Sequence, residues 1–209
     1  MPDATTFIFS LFILIMSVVI HEVSHGIAAY LLGDRTAKYA GRLTLNPIPH
    51  LDPLGSVILP LLLVFSGSPF LIGWAKPVPF NPYNLVRAPK WGPAIVAAAG
   101  PLSNLTVALV FGLLLRAAHA GVLPFLTLAF LQIATYITLI NIVLAIFNLI
   151  PIPPLDGSRV FFSFLPYQTY RLQVALEVWG FFILIFFIIV AGRFINILTS
   201  FVFHIITRA

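Results

Sequence analysis

The 209-residue sequence contains no cysteine, which removes disulfides and thiolate metal sites from consideration. Charge is almost as scarce. Six acidic and eleven basic side chains make up 8% of the chain, where ordinary globular domains carry roughly a quarter. With 60% hydrophobic residues and a mean hydropathy of +1.07, the composition is that of a protein integral to a lipid bilayer, with no room for a sizeable soluble domain. The net charge of +5 is not a nucleic-acid signal, because the basic residues sit mainly in loops, where they set topology. No positive charge precedes the first apolar run, so residues 1–6 do not read as the start of a cleaved signal peptide. No internal repeat or low-complexity tract is evident.

Long apolar runs are plentiful. Four are able to span a bilayer, at about 7–32, 91–116, 124–150 and 172–206. The last is too long for one straight span and holds Gly192-Arg193, which predicts either a tilted helix or a span followed by a broken or interfacial piece. A fifth run, 54–72, is short and interrupted by Pro60 and by Ser66-Gly67-Ser68-Pro69. Charge bears on it. Arg35, Lys38 and Arg42 precede it, Lys76, Arg87 and Lys90 follow it, and Arg159 and Arg171 follow the third strong span. If 54–72 dips in and returns, all these basic regions share one side, which the positive-inside rule favours. The N-terminus is then outside, and 33–90 and 151–171 are cytoplasmic. The alternative is a plain transmembrane hairpin. Two flanking pieces, 39–45 and 73–80, read as extended, the second with prolines at alternate positions that suit an edge or irregular chain.

Inside the first span stands His21-Glu22-Val23-Ser24-His25, an H-E-x-x-H sequence. On a helix, residues four apart lie on one face, so the two imidazoles can grip one metal ion while Glu22 takes a proton from the attacking water. Ionisable residues are costly at membrane depth and usually functional there. A catalytic zinc needs three protein ligands and an open position. Candidates for the third are Asp3, Asp34, Asp52, Asp156, Glu177, His50, His119 and His204. Asp156 is favoured. It follows the third strong span in Asn148-Leu149-Ile150-Pro151-Ile152-Pro153-Pro154-Leu155-Asp156-Gly157, where proline frees backbone from helix geometry, as membrane depth allows only beside protein or a wet cavity. With 54–72 re-entrant, Asp156 also emerges on the side toward which His21 and His25 lie. Taken alone, Asp-Gly would read as a turn or a helix cap. His50 reads as exposed loop, and His119 and His204 as interfacial span ends. Gln132, Thr135, Thr138, Asn141 and Asn148 form a polar stripe expected to face the bundle interior. Ala97-Ala98-Ala99-Gly100 reads as close helix packing, and Asn104 as a bond across helices or a ligand orienter.

Three motifs in order, His21-Glu22-x-x-His25, Ala99-Gly100-Pro101-Leu102-Ser103-Asn104 and Asn148 through Asp156-Gly157, give the chain a clear likeness: it resembles the site-2 protease family of intramembrane zinc metalloproteases. Gly73-Trp74-Ala75-Lys76-Pro77-Val78 and His50-Leu51-Asp52-Pro53-Leu54-Gly55 are similar to those of small prokaryotic members. The Pro153-Pro154 pair is a mild departure in the loop. The resemblance implies an all-α polytopic membrane protein with a three-helix catalytic core, about 7–160, a C-terminal membrane segment, about 172–206, a re-entrant segment and short extended segments, all in one domain spanning 1–209. It implies one Zn2+ per chain on His21, His25 and Asp156, with Glu22 as catalytic base and Asn148 near the scissile carbonyl. It implies a transmembrane protein as substrate, cleaved in or near its membrane helix in regulated intramembrane proteolysis, in a prokaryotic cell membrane with the active site toward the cytoplasm. Control then falls to substrate trimming or a regulatory membrane partner.

The rival reading is a transporter or channel with a structural or transported metal, which broken helices and polar residues in spans also fit. It has no use for Glu22 beside the first ligand. A catalytically dead adaptor would not need the full ligand set.

Overall fold

The computed structural model describes residues 4–58, 62, 65 and 74–208. Among them four helices are long and apolar enough to cross a membrane: α1 (Ala4–Leu31), α3 (Gly92–His119), α4 (Leu128–Asn148) and α6 (Tyr170–Thr207). Two shorter helices, α2 (Thr36–Tyr39) and α5 (Asp156–Phe164), lie in the connections. No strand forms among the described residues. Helices are the fitting solution for such runs in lipid, because every backbone N–H and C=O is satisfied within the segment.

The bundle is organised around α3, which packs against α1, α4, α5 and α6. The reason is its small residues. Ala94, Ala97, Gly100, Ala108 and Gly112 are buried on it and let neighbouring backbones come close, which is what holds helices together where no hydrophobic gradient exists between protein and lipid. Two clusters mark the contacts. Ala29, Leu85 and Val96 join α1 to α3 through the intervening loop. Ala108, Ile142 and Ile206 join α3, α4 and α6 at the other end. Together α1, α3 and α4 form the expected three-helix core.

The chain leaves α1 and enters α3 at the same end of the bundle. The Arg87 N–H donates to Leu32 O at 3.1 Å, and its guanidinium reaches Leu31 O at 2.7 Å. Asp34, fully buried, fastens the return. Its carboxylate accepts from Thr36 N–H and Oγ1, from Asn81 N–H at 2.7 Å and from Asn84 Nδ2. Burial alone would raise this carboxyl, but those donors outweigh it and hold it below its ordinary value. Most of the run 54–72, whose re-entrant path is expected from charge, lies outside the described residues.

The structure departs from expectation at the segment 39–45 and at His50. The segment 39–45 is not extended: Tyr39 ends α2, and turns and bends follow. Asp34 accepts from Thr36, the first residue of that helix, and Arg42 is drawn inward, 6% exposed, to donate to Lys76 O at 2.6 Å. The segment 74–80 is the irregular chain that its alternate prolines suit, held by separate hydrogen bonds rather than by a ladder. His50 is not exposed. It is 1% exposed, donates from Nε2 to Thr44 O at 2.9 Å, and accepts Lys76 N–H on its own carbonyl. Of the two readings open for the last apolar run, the structure takes the single helix: α6 is unbroken over 38 residues. Gly192 has nothing near it, so no neighbour bends the helix there, and one glycine costs only about 1 kcal/mol.

Candidate active site

His21 and His25 occupy successive turns of α1, and their rings meet nearly edge-on with centroids 4.6 Å apart. Asp156 arrives from the first turn of α5. Its Oδ2 lies 3.0 Å from His21 Nε2 and 3.2 Å from His25 Nε2. Glu22 lies beside them. It presents an oxygen that falls, with the ring nitrogens of His21 and His25, in a group whose atoms are all within 4.8 Å of one another. A cavity of ≈170 Å³ opens onto these side chains and is lined further by Pro77, Val78, Phe80, Asn148 and Arg159.

The outer nitrogens of both imidazoles are committed. His21 Nδ1 donates to Asn104 Oδ1 at 2.6 Å, and His25 Nδ1 donates to Val96 O at 2.6 Å. Donation from Nδ1 fixes the neutral tautomer whose Nε2 lone pair faces inward, as metal-binding histidines require. Ligand atoms held tetrahedrally at about 2.1 Å from a zinc ion lie about 3.4 Å apart. The separations between Asp156 and the two rings are close to that, so this donor set fits the ion.

Asn104 is itself part of a buried chain. Its Nδ2 donates to Asn141 Oδ1 at 2.8 Å and to Ser17 O at 3.2 Å. Asn141 Nδ2 in turn donates to Ser17 Oγ at 2.9 Å. Asn104 and Asn141 are both fully buried. Asn104 therefore does both things open to it, bonding across helices and orienting His21. Replacing Asn104 with leucine is expected to weaken zinc binding about 10- to 100-fold, measurable by competition with a chromophoric chelator. An unchanged affinity would reduce Asn104 to helix packing.

Two glycines make the convergence possible. A Cβ on Gly100 would lie 2.5 Å from His25 Nε2 and 2.6 Å from His21 Nε2. A Cβ on Gly157 would overlap the Leu149 carbonyl and lie 2.6 Å from Ile150 O. That glycine lets the start of α5 nest against the end of α4, which brings Asp156 back over the histidines. Of the polar stripe on α4, Thr138 and Asn141 are fully buried, Asn148 reaches the cavity and Gln132 is exposed. Asn148 donates from Nδ2 to Leu144 O at 3.0 Å. Asp52 stands apart, accepting Leu54 N–H and Gly55 N–H in the loop before 54–72. Glu177 pairs with Gln173 on α6, and His119 and His204 are exposed.

Ser17, Gly100 and the Val78 backbone escaped the sequence reading as contributors to the site. Each left a trace: Ser17 lies four residues before His21 and so on its face of α1, and Gly100 and Val78 stand in motifs read there for packing and likeness rather than for the site.

Comparison with known proteins places the chain in a family. The model of Peptidase family M50 matches residues 124–191. YwhC of Bacillus subtilis, which carries a zinc-metalloprotease name, is 37% identical over 186 residues, covering 87% of this chain and 81% of that protein. Rip2 of Mycolicibacterium smegmatis, named likewise, is 30% identical over 179 residues, covering 84% of this chain and 64% of its own length. MJ0611 of Methanocaldococcus jannaschii, a third with such a name, is 40% identical over 65 residues, 31% of each chain. No solved structure gives a significant match. The likeness to YwhC spans most of both chains, and the chain accordingly belongs to peptidase family M50, as a zinc metalloprotease integral to a membrane.

Proposed function

We propose that the protein hydrolyses peptide bonds in or beside the transmembrane helix of a membrane-protein substrate, with His21, His25 and Asp156 holding one zinc ion and Glu22 as general base. One observation carries the reading. The two Nε2 atoms and the Asp156 carboxylate converge in a cavity set between membrane helices, with Glu22 at its side. Bound zinc supplies a Lewis acid that polarises the scissile carbonyl and brings the pKa of water toward ~7. Asn104 and Val96 O hold the imidazoles in register. Glu22 takes the proton of the attacking water and delivers it to the leaving amine. Asn148, at the cavity wall, turns its Nδ2 from Leu144 O to the developing oxyanion. A metal transporter has no role for a base in this position.

Purified protein in proteoliposomes is expected to contain one zinc per chain and to cleave a single-span reporter, with the cut mapped by mass spectrometry within the span or its first flanking turn. Cuts only in flanking soluble sequence would overturn the intramembrane reading. The site is proposed to face the cytoplasm of a prokaryotic cell, in one domain that serves regulated intramembrane proteolysis under a membrane partner's control. The support is charge: Arg35, Lys38, Arg42, Lys76, Arg87, Lys90, Arg159 and Arg171 all lie in connections at the site's end of the bundle or in the turn that enters α6, and positive loops stay inside. The cysteine-free chain allows a direct test. Cysteines placed at the exposed Tyr39 and Tyr83 are both expected to react from the cytoplasm only. Labelling of either from outside would reverse the orientation.

A further inference from the structure

We propose that the backbone N–H of Val78 is a positioning donor for Glu22, delivered by a strap of chain at 76–80 that is built to present that one hydrogen. The proposal rests on Glu22 being the general base. Val78 N–H donates to Glu22 Oε2 at 2.8 Å. With one oxygen so held, the carboxylate keeps the other for the attacking water, and the side chain no longer samples rotamers that point away from it.

The surroundings of this bond are specific. Pro77 and Pro79 flank Val78, and proline has no N–H and a fixed φ, so Val78 alone can donate between Lys76 and Phe80. The valine side chain is 7% exposed and is seated on α1 beside Gly26, where a Cβ would come within 3.0 Å of Val78 Cγ1 and 2.6 Å of Leu43 Cδ2. Gly26 is four residues past Glu22, so the same helix face that carries the base also carries the groove for the strap. Both ends are tied. Lys76 donates its N–H to His50 O at 2.9 Å and accepts from Arg42 at 2.6 Å. Asn81 N–H is held by Asp34 at 2.7 Å, and the Arg159 guanidinium lies over the Phe80 ring at 5.5 Å. The buried His50 and Arg42 thus acquire a purpose, which is to hold the strap at a fixed height on α1.

The test removes the hydrogen and leaves every side chain in place. Incorporating the α-hydroxy analogue of valine at 78 replaces the N–H by an ester oxygen. Loss of a hydrogen bond to a charged group is expected to lower kcat about 10- to 100-fold, with KM for the reporter and zinc content unchanged. Val78→Pro, which can be encoded directly, is expected to lower kcat likewise. An ester variant with wild-type kcat overturns the proposal. So does a raised KM at unchanged kcat, which would make the strap a substrate-binding edge. Glu22→Gln is run alongside. If it cleaves normally, the assignment of the base has failed; if it is inactive while the ester variant is fully active, only the positioning role has.

Discussion

Glu22→Gln is expected to lose cleavage of a membrane-helix reporter by about 10²- to 10⁴-fold, the usual worth of a positioned general base, while one zinc per chain is retained. Glutamine has the shape of glutamate and can still accept the Val78 N–H that now reaches Oε2, so the strap and the cavity stay as they are. What it lacks is basicity: an amide oxygen takes no proton near neutral pH. The imidazoles and Asp156 make their mutual contacts without Glu22, which is why the metal should remain. Metal analysis beside the cleavage assay reads both quantities from one preparation. Full cleavage by the variant would remove Glu22 from the chemistry. Loss of zinc together with activity would make Glu22 a ligand instead.

Gly100→Ala is expected to weaken zinc binding by about 10³-fold or more, although residue 100 offers no ligand atom. The added methyl would stand 2.5 Å from His25 Nε2 and 2.6 Å from His21 Nε2, on the atoms that would bind the ion. Neither ring can retreat cheaply. Each is pinned through Nδ1, to Asn104 and to Val96 O, and buried donors left unpaired cost about 1–3 kcal/mol each. Relief must therefore come from separating α1 and α3 or from turning a ring out of the donor set, and either spoils a three-ligand site. The variant is expected to purify as a helical, membrane-inserted protein with little zinc. Near-stoichiometric zinc in it would mean that the two helices part easily, and that the close approach at Gly100 does not set the metal site.

The spans were legible because length and hydropathy are local properties, and the residues brought together at the site were legible because H-E-x-x-H carries its geometry in its own spacing. Asp156 could be reached from the same reasoning, since a chain that must return to one end of the bundle limits which carboxylates can meet His21. Other features depend on distant partners. Nothing around Gly100 says that its missing side chain is the space for two imidazoles. Asn104 and Asn141 carry no sign that they form one chain with Ser17, because that requires the packing of three helices. The stretch 39–45 alternates partly in sequence, yet Asp34 holds Thr36 at the start of a turn of helix just before it and buried Arg42 pulls it inward. Local pattern lost there to tertiary hydrogen bonds, as it did at His50.

The length of α6 has a mechanical corollary. Its 38 residues at about 1.5 Å each make a rod of about 57 Å, against a hydrocarbon layer of about 30 Å. Even at a tilt of about 40°, the steep end of what spanning helices adopt, the rod stands about 44 Å tall. It cannot be wholly immersed. The polar side chains Arg171, Gln173 and Glu177 fall in its first turns, and Gly180 sits against the Pro153 carbonyl at the site's end of the bundle. The surplus therefore stands clear of the lipid beside the cavity. A thicker bilayer draws the rod upright and submerges more of it, and a thinner one leaves more of it dry. The depth of the catalytic cavity below the headgroups is in this way coupled to the thickness of the membrane that surrounds it.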